Sequence, residues 1–364
     1  MPEANTSYAD DRELLSRIAC EAGAIAREAY NANKSKVWDK SKNHPVTDAD
    51  IAVNDFLLEA LGTARPDYGW LSEETMDDRS RHNCARTFVV DPIDGTRAFI
   101  DRKPHFTICL SVTENGRSVA GAVYNPMRDE LYSAHAGGGA TLNDRAIKVH
   151  DRSAIKDCHM VGYPRKFRRL GWPDMSVSVV NSMAYRICLV ASGAKHATVA
   201  FTPKSDWDLA AAELIAREAG AVITNLRGDD FIYNQESVTD IGVICAGPRL
   251  QALLLERITP VIAKFDKSDH KVRDFGFMGT RMTDRTENAV QLLHLVIGGE
   301  LIDPNKTQFK DLEAVDFVGA FASYAEAHAA WKSAAQRTVD NAHMRYFVLH
   351  AHELIDPDKD GIIG

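Results

Sequence analysis

Three apolar residues, Phe88 to Val90, run straight into Asp91-Pro92-Ile93-Asp94-Gly95-Thr96. The apolar run reads as a buried strand, so two aspartates stand three positions apart where that strand ends. A carboxylate at such a place costs free energy unless a cation, a cap or a metal ion pairs with it. A cap uses one acid, and this segment supplies two. Whatever fold the chain adopts has to set a buried strand end beside something that takes up that charge.

The pattern on either side indicates how that is arranged. From Asp10 to Asn33 the apolar residues Leu14, Leu15, Ile18, Ala22, Ile25 and Ala29 recur at helical steps. A second amphipathic helix follows Pro45, with Thr47 or Asp48 as its cap and Asp50 in its first turn. Between Phe106 and Val149 the period changes to two, with Asn115-Gly116 as a hairpin turn. After Ser176 helices and strands alternate, and Pro248 opens a further helix. The charged, aperiodic stretch 259–287 reads as a linker, and 288–357 as a small α+β domain in which Trp331 and Tyr346 are core residues. The expected organisation is an α/β chain with residues 8–258 as one domain, a change of pattern near residue 150, and the small domain appended.

Composition narrows the function. Across 364 residues the formal net charge is -8, which argues against a nucleic-acid polymer or an anionic membrane as partner. The six cysteines are dispersed without a Cys-x-x-Cys pair, and Cys109, Cys188 and Cys245 lie in apolar runs where a reduced thiol packs as a small hydrophobe. The amino-terminal segment is polar and acidic, unlike a signal peptide, and no apolar run approaches membrane-spanning length, so a cytoplasmic protein is expected.

Further acids gather at element ends. Glu73 and Glu74 follow a short strand and equally suit a solvated turn; Asp208 opens the helix of "SDWDLAAAE" and equally suits an N-cap. Hard divalent cations such as Mg²⁺ take oxygen ligands of this kind. Two such ions ~3.5–4 Å apart clamp the attacking and leaving oxygens of a phosphoryl transfer. Gly95 and Thr96 open a helical turn whose amides suit a phosphate.

Together "DPIDGT", the upstream "SEE" and the downstream "WDLAAAELIAREAG" resemble the inositol monophosphatase family of metal-dependent, lithium-sensitive phosphatases. The resemblance covers about residues 10 to 258 and extends to Lys40, the "VTDAD" run and the "GGGATLNDR" turn. It implies a layered αβαβα sandwich, α+β over 8–150 and α/β over 151–258, two or three Mg²⁺ ions and a homodimer. It also implies that Glu73, Asp91 and the Ile93 carbonyl hold the first metal, and Asp91, Asp94 and Asp208 the second. Thr96, oriented by Asp50, would position the attacking water with help from Glu73, and the Gly95 and Thr96 amides, with Lys40, would meet the phosphate.

For the substrate, inositol-specific members carry a glutamate seven residues before the last metal aspartate, and that position here is Phe201. The approach "FTPKSDWD" is nearer the 3'(2'),5'-bisphosphate nucleotidase branch. A second phosphate would need a second cation, with Arg186 and Lys204 as candidates. Inositol 1-phosphate and histidinol phosphate are the alternatives, and a catalytically silent scaffold is the alternative of another class. From Val290 onward the chain resembles a small bacterial domain of unknown function.

Overall fold

The computed structural model describes residues 7–41, 44–164, 167, 172–267, 294–302, 309–311, 314–321, 324–338 and 343–350. Its contacts divide the chain into two compact units, Met1–Gly279 and Thr280–Gly364.

Helix α1 (Tyr8–Ala32) begins at a capping box: Ser7 Oγ accepts from Asp10 N at 3.2 Å and Ser7 N donates to Asp10 Oδ2 at 3.1 Å. A short hairpin, β1 (Val37–Ser41) and β2 (His44–Thr47), leads into α2 (Asp48–Ala64). Both helices lie on one face of a seven-stranded sheet. In spatial order it contains β3 (Gly69–Ser72), β4 (Arg86–Asp94), β5 (Thr107–Glu114), β6 (Arg117–Asn125), β7 (Glu130–His135), β8 (Ala140–Leu142) and β9 (Arg145–Ala146). The short helix α3 (Thr96–Ile100) follows β4. Only β3 and β4 run parallel in this sheet, and every other pair is antiparallel. Alternation sorts the two faces: Phe88, Val90, Ile108, Leu110, Val112, Ala120 and Ala122 pack on α1 and α2, while Val89, Cys109 and Val123 turn the other way. The β5–β6 turn falls at Asn115-Gly116, both with left-handed φ (52° and 75°), the conformation this pair favours.

The second face is covered by α4 (Met183–Ala191) and α5 (Asp206–Glu218), which are apolar on nearly all sides because another sheet lies beyond them. That sheet runs in the order β11 (Ser176–Ser178), β10 (His159–Val161), β12 (Ala197–Ala200), β16 (Val243–Ala246) and β14 (Val222–Thr224). A two-stranded ribbon, β13 (Lys204–Ser205) with β15 (Thr239–Asp240), precedes α5. Along β16, Val243 and Cys245 face the central helices, whereas Ile244 and Ala246 face α6 (Pro248–Lys267). The layers are thus helix, sheet, helix, sheet, helix. Gly121 marks a close joint between two of them, since a Cβ there would lie 3.0 Å from the carbonyl oxygen of Ala211 on α5.

Helix α6 continues to Lys267, past Thr259, where the charged linker was expected to begin. Leu250, Leu254 and Ile258 are buried at four-residue spacing and Ile262 packs against the same cluster. This stripe carries the helix through the exposed Pro260, and the remainder of the expected linker, from 268 on, lies outside the described residues.

In the second unit, β17 (His294–Glu300) lies between β18 (Asp316–Phe321) and β19 (Met344–His350), all antiparallel, with α7 (Tyr324–Arg337). Tyr346 is buried, and the half-buried Trp331 donates Nε1–H to its carbonyl at 2.7 Å, so both serve the packing of this unit. The six cysteines are free thiols, and Cys109, Cys158, Cys188 and Cys245 are buried.

Candidate metal centre

The site forms where β4 stops behaving as a regular strand. Its pairing with β5 holds to Asp91↔Cys109 and resumes at Asp94↔Thr107 with a shift of register. Pro92, which has no N–H to offer a ladder, sits in that irregularity. Asp91 Oδ1 accepts from Ile93 N at 3.0 Å, folding the turn back on its own acid. Gly95 follows with φ of 99°, and a Cβ there would come within 2.9 Å of His105 O, so the close turn that delivers Thr96 requires glycine.

Asp94 is fixed from 88 residues away. Ser182 Oγ donates to its Oδ2 at 2.6 Å, Ala184 N to the same oxygen at 2.7 Å and Met183 N to Oδ1 at 3.1 Å. These donors are the cap and first amides of α4, where unpaired N–H groups and the helix dipole favour an anion. Asp208 arrives from the start of α5. It is not the N-cap: Ser205 holds that position, and Asp208, three residues on, accepts Ser205 N at 2.8 Å.

Carboxylate oxygens of Asp91, Asp94 and Asp208 all lie within 4.8 Å of one another. Asp91 is 2% exposed and Asp94 5%, and among the described residues neither forms an ion pair. Burial, followed by the charges of Glu73, Asp94 and Asp208, pushes the Asp91 carboxyl well above the ordinary range. Burial and Asp208 push Asp94 up to about 6 despite its three donors. Three converging acids, two of them buried and resisting ionisation, form a donor set of oxygen alone, and that chemistry fits a hard divalent cation. Asp91, Asp94 and Asp208 are the residues that would hold it.

Beside the cluster, Thr47 and Asp50 close the capping box of α2: Thr47 N and Oγ1 donate to Asp50 Oδ2 at 2.8 and 2.5 Å. The other oxygen, Oδ1, receives Thr96 Oγ1 at 3.2 Å, which also lies 3.2 Å from Ile93 O. Burial raises the Asp50 carboxyl to about 6. The turn bearing Glu73 and Glu74 extends the parallel pairing through Glu73 N to Val90 O at 3.2 Å. Asn54, one helical turn beyond Asp50, anchors this turn by accepting Ser72 Oγ at 2.7 Å and donating to Thr75 Oγ1 at 3.2 Å.

Of the other expected site residues, Lys40 lies on β1 and its side chain is outside the described residues. Lys204 Nζ is 3.9 Å from Asp208 Oδ2. Arg186 is buried on α4, with Nε donating to Val180 O at 2.6 Å and Nη2 to Asn181 O at 3.4 Å. Ser182 and Asn54 did not emerge from the sequence. A serine ahead of "MAYRICLV" signals a cap, but nothing local signals which distant acid it holds.

Ser182→Ala removes one charge-assisted donor to Asp94 and leaves the two amides. Such supporting contacts to a metal ligand are worth about 10–100-fold in metal affinity. The expected result is weaker Mn²⁺ binding on that scale in a titration of the folded variant, with recovery in Ser182→Thr.

The inositol monophosphatase family model matches residues 10–263, and the chain belongs to that family of metal-dependent phosphatases. Residues 292–351 match a domain of unknown function (DUF4170). An inositol-1-monophosphatase from Mesorhizobium japonicum is 30% identical over 261 residues, covering 67% of this chain and 94% of that protein. The 3'(2'),5'-bisphosphate nucleotidase CysQ from Escherichia coli K12 is 31% identical over 231 residues, covering 61% and 93%. Among solved structures, the extragenic suppressor protein suhB from Bartonella henselae superposes with a TM-score of 0.60 at 26% identity, covering 68% of this chain and 97% of that one. The chain is thus a phosphatase, and the silent-scaffold alternative is set aside. Among the described residues no helix is long and apolar enough to cross a membrane.

Proposed function

We propose that the protein is an Mg²⁺-dependent phosphomonoesterase whose preferred substrates are 3'(2'),5'-bisphosphate nucleotides. The observation that carries the chemistry is the buried Asp91–Asp94–Asp208 cluster with the Asp50–Thr96 pair beside it. Bound divalent cations supply the charge that neutralises a phosphate and lowers the pKa of water. The protein groups supply orientation. Thr47 holds one oxygen of Asp50, which leaves the other to receive the Thr96 hydroxyl proton. With its proton directed at Asp50, Thr96 Oγ1 offers its lone pairs to a water hydrogen, so the water oxygen is aimed at phosphorus. Asp50 accepts the proton relayed through Thr96, while Glu73 orients the second water hydrogen. The Gly95 and Thr96 amides and Lys40 bind the phosphate oxygens.

For the substrate, Phe201 stands half-buried just beyond β12, where a carboxylate would be needed to grip sugar hydroxyls. The reading takes Lys204 as the cation nearest a second phosphate, and Arg186 as a buried charge acting at longer range. Catalysis lies in residues 8–258, with the linker shortened by the 259–267 portion that α6 takes from it and the 288–357 unit outside the chemistry, in a homodimer.

The test is phosphate release from adenosine 3',5'-bisphosphate, inositol 1-phosphate and histidinol phosphate in Mg²⁺. A second phosphate held by a charged hydrogen bond gives the bisphosphate about a tenfold advantage or more in kcat/KM. A preference for inositol 1-phosphate, the activity named for the Mesorhizobium japonicum relative, would overturn the substrate assignment and leave the phosphatase assignment standing.

A further inference from the structure

Tyr163, two residues past the end of β10, is a large ring left 44% exposed. It rests on Arg186, whose Cζ is 4.6 Å from the ring centroid. Arg186 is itself only 4% exposed and has donors committed to Val180 O and Asn181 O, so it makes a fixed planar support.

Three relations bring this pair to the reacting end. Arg186 stands on α4, one turn beyond the Met183 and Ala184 amides that hold Asp94. Strands β10 and β12 are parallel neighbours, Val161↔Thr198, so Tyr163 leaves β10 at the same carboxyl edge from which β12 leads through β13 to Asp208. Ligands of α/β sheets bind beyond that edge. The charges of Asp94 and Asp208 also act on the Arg186 guanidinium, although burial is the larger influence and lowers its pKa overall. Phe201, just past β12, adds a second ring at this edge, backed by Phe167 at 6.2 Å.

We propose that Tyr163, seated on Arg186, is the shelf on which the heteroaromatic base of a nucleotide substrate stacks, and that it separates nucleotides from base-free phosphate esters. The inference rests on the nucleotide reading of the site given above. A tyrosine already held on one face by a guanidinium loses little freedom when a base covers it. A shelf reads planarity rather than base edges, so adenine and guanine nucleotides are accepted alike.

The test uses the full chain in Mg²⁺ and compares wild type, Tyr163→Ala and Tyr163→Phe on adenosine 3',5'-bisphosphate and inositol 1-phosphate. Base–aromatic stacking measured by alanine substitution corresponds to a loss of about tenfold. The alanine variant is expected to lose that in kcat/KM for the nucleotide, mainly through KM. Its loss on inositol 1-phosphate should be at least about fivefold smaller, and phenylalanine should restore the nucleotide. Equal losses on the two substrates, or an unchanged nucleotide KM, would overturn the shelf while the nucleotide reading stands. A wild type that prefers inositol 1-phosphate fails before any variant is made, and overturns the reading and the shelf together.

Discussion

Asp91→Asn is expected to abolish turnover while leaving the fold intact. Asp91 sits at the centre of the cluster, where its carboxyl feels Glu73, Asp94, Asp208 and Asp50. The amide keeps the shape, and its oxygen still accepts Ile93 N, so the turn at Pro92 is preserved. It removes charge that a bound cation requires. Even one preorganised transition-state donor is worth about 10²–10³ in rate, so losing a central ligand should cost about a thousandfold or more in kcat. Stability moves the other way. Without metal the three acids repel one another in a buried setting, so the variant should melt no lower than the metal-free wild type. Phosphate release together with a thermal melt checks both parts, and near-native turnover in Mg²⁺ would remove Asp91 from the centre.

How far the sequence disclosed this site follows from the range of each interaction. The cap at Thr47, the β5–β6 turn and the strand running into Asp91 are each settled within a few residues, and such local patterns survive in any fold, whereas the cap ahead of Asp208 is Ser205 and not the acid itself. The layering came from the resemblance to the family, and the apolar runs of β4, β5 and β16, buried on both faces, agree with it. Contacts across long separations were not legible. The grip of Ser182 on Asp94 is one, and another is Arg81, fully buried, which donates to Asp77 and to Gln235 O at 2.9 Å and ties the segment after β3 to the loop before β15.

Arg186 and the stretch from Thr259 were read on residue type rather than on neighbours. Arg186 looked like a cation awaiting a phosphate, yet Met183 and Val190 flank it at helical spacing and mark its face as buried. The stretch from Thr259 read as a linker for its charge, yet the stripe through Ile258 and Ile262 carries α6 past Pro260 to Lys267, because packing of a buried face supplies most of a helix's stability.

The metal-free protein is expected to lose stability as pH rises, the reverse of what paired carboxylates give. Asp94 and Asp50 are pushed from 3.8 up to about 6, and Asp91 well above its usual range, chiefly by burial. A carboxyl whose folded pKa exceeds its unfolded one stays protonated in the native state where the unfolded chain has already ionised. Its contribution is therefore fully favourable below pH ~4 and is lost as pH climbs through ~6. For Asp94 alone the shift corresponds to on the order of 3 kcal/mol, and the coupled groups together to less than the sum of their parts. Asp206, also raised to about 6, adds to the trend, whereas His196, lowered to about 4, opposes it between pH ~6.5 and ~4. Neither belongs to the cluster, so the effect of added metal isolates the acids that do. Binding competes with protons at those acids, and saturating a site at about 100 times Kd stabilises by about 2.7 kcal/mol. The decisive measurement is the melting temperature of chelator-stripped protein at pH 5.5 and 7.5, with and without Mg²⁺. Stripped protein should melt higher at pH 5.5, and Mg²⁺ should raise the melt by about 5–10 °C at pH 7.5 and by clearly less at pH 5.5. A melt that Mg²⁺ leaves unmoved at pH 7.5, or moves equally at both values, would contradict the assignment of Asp91, Asp94 and Asp208 as a metal centre.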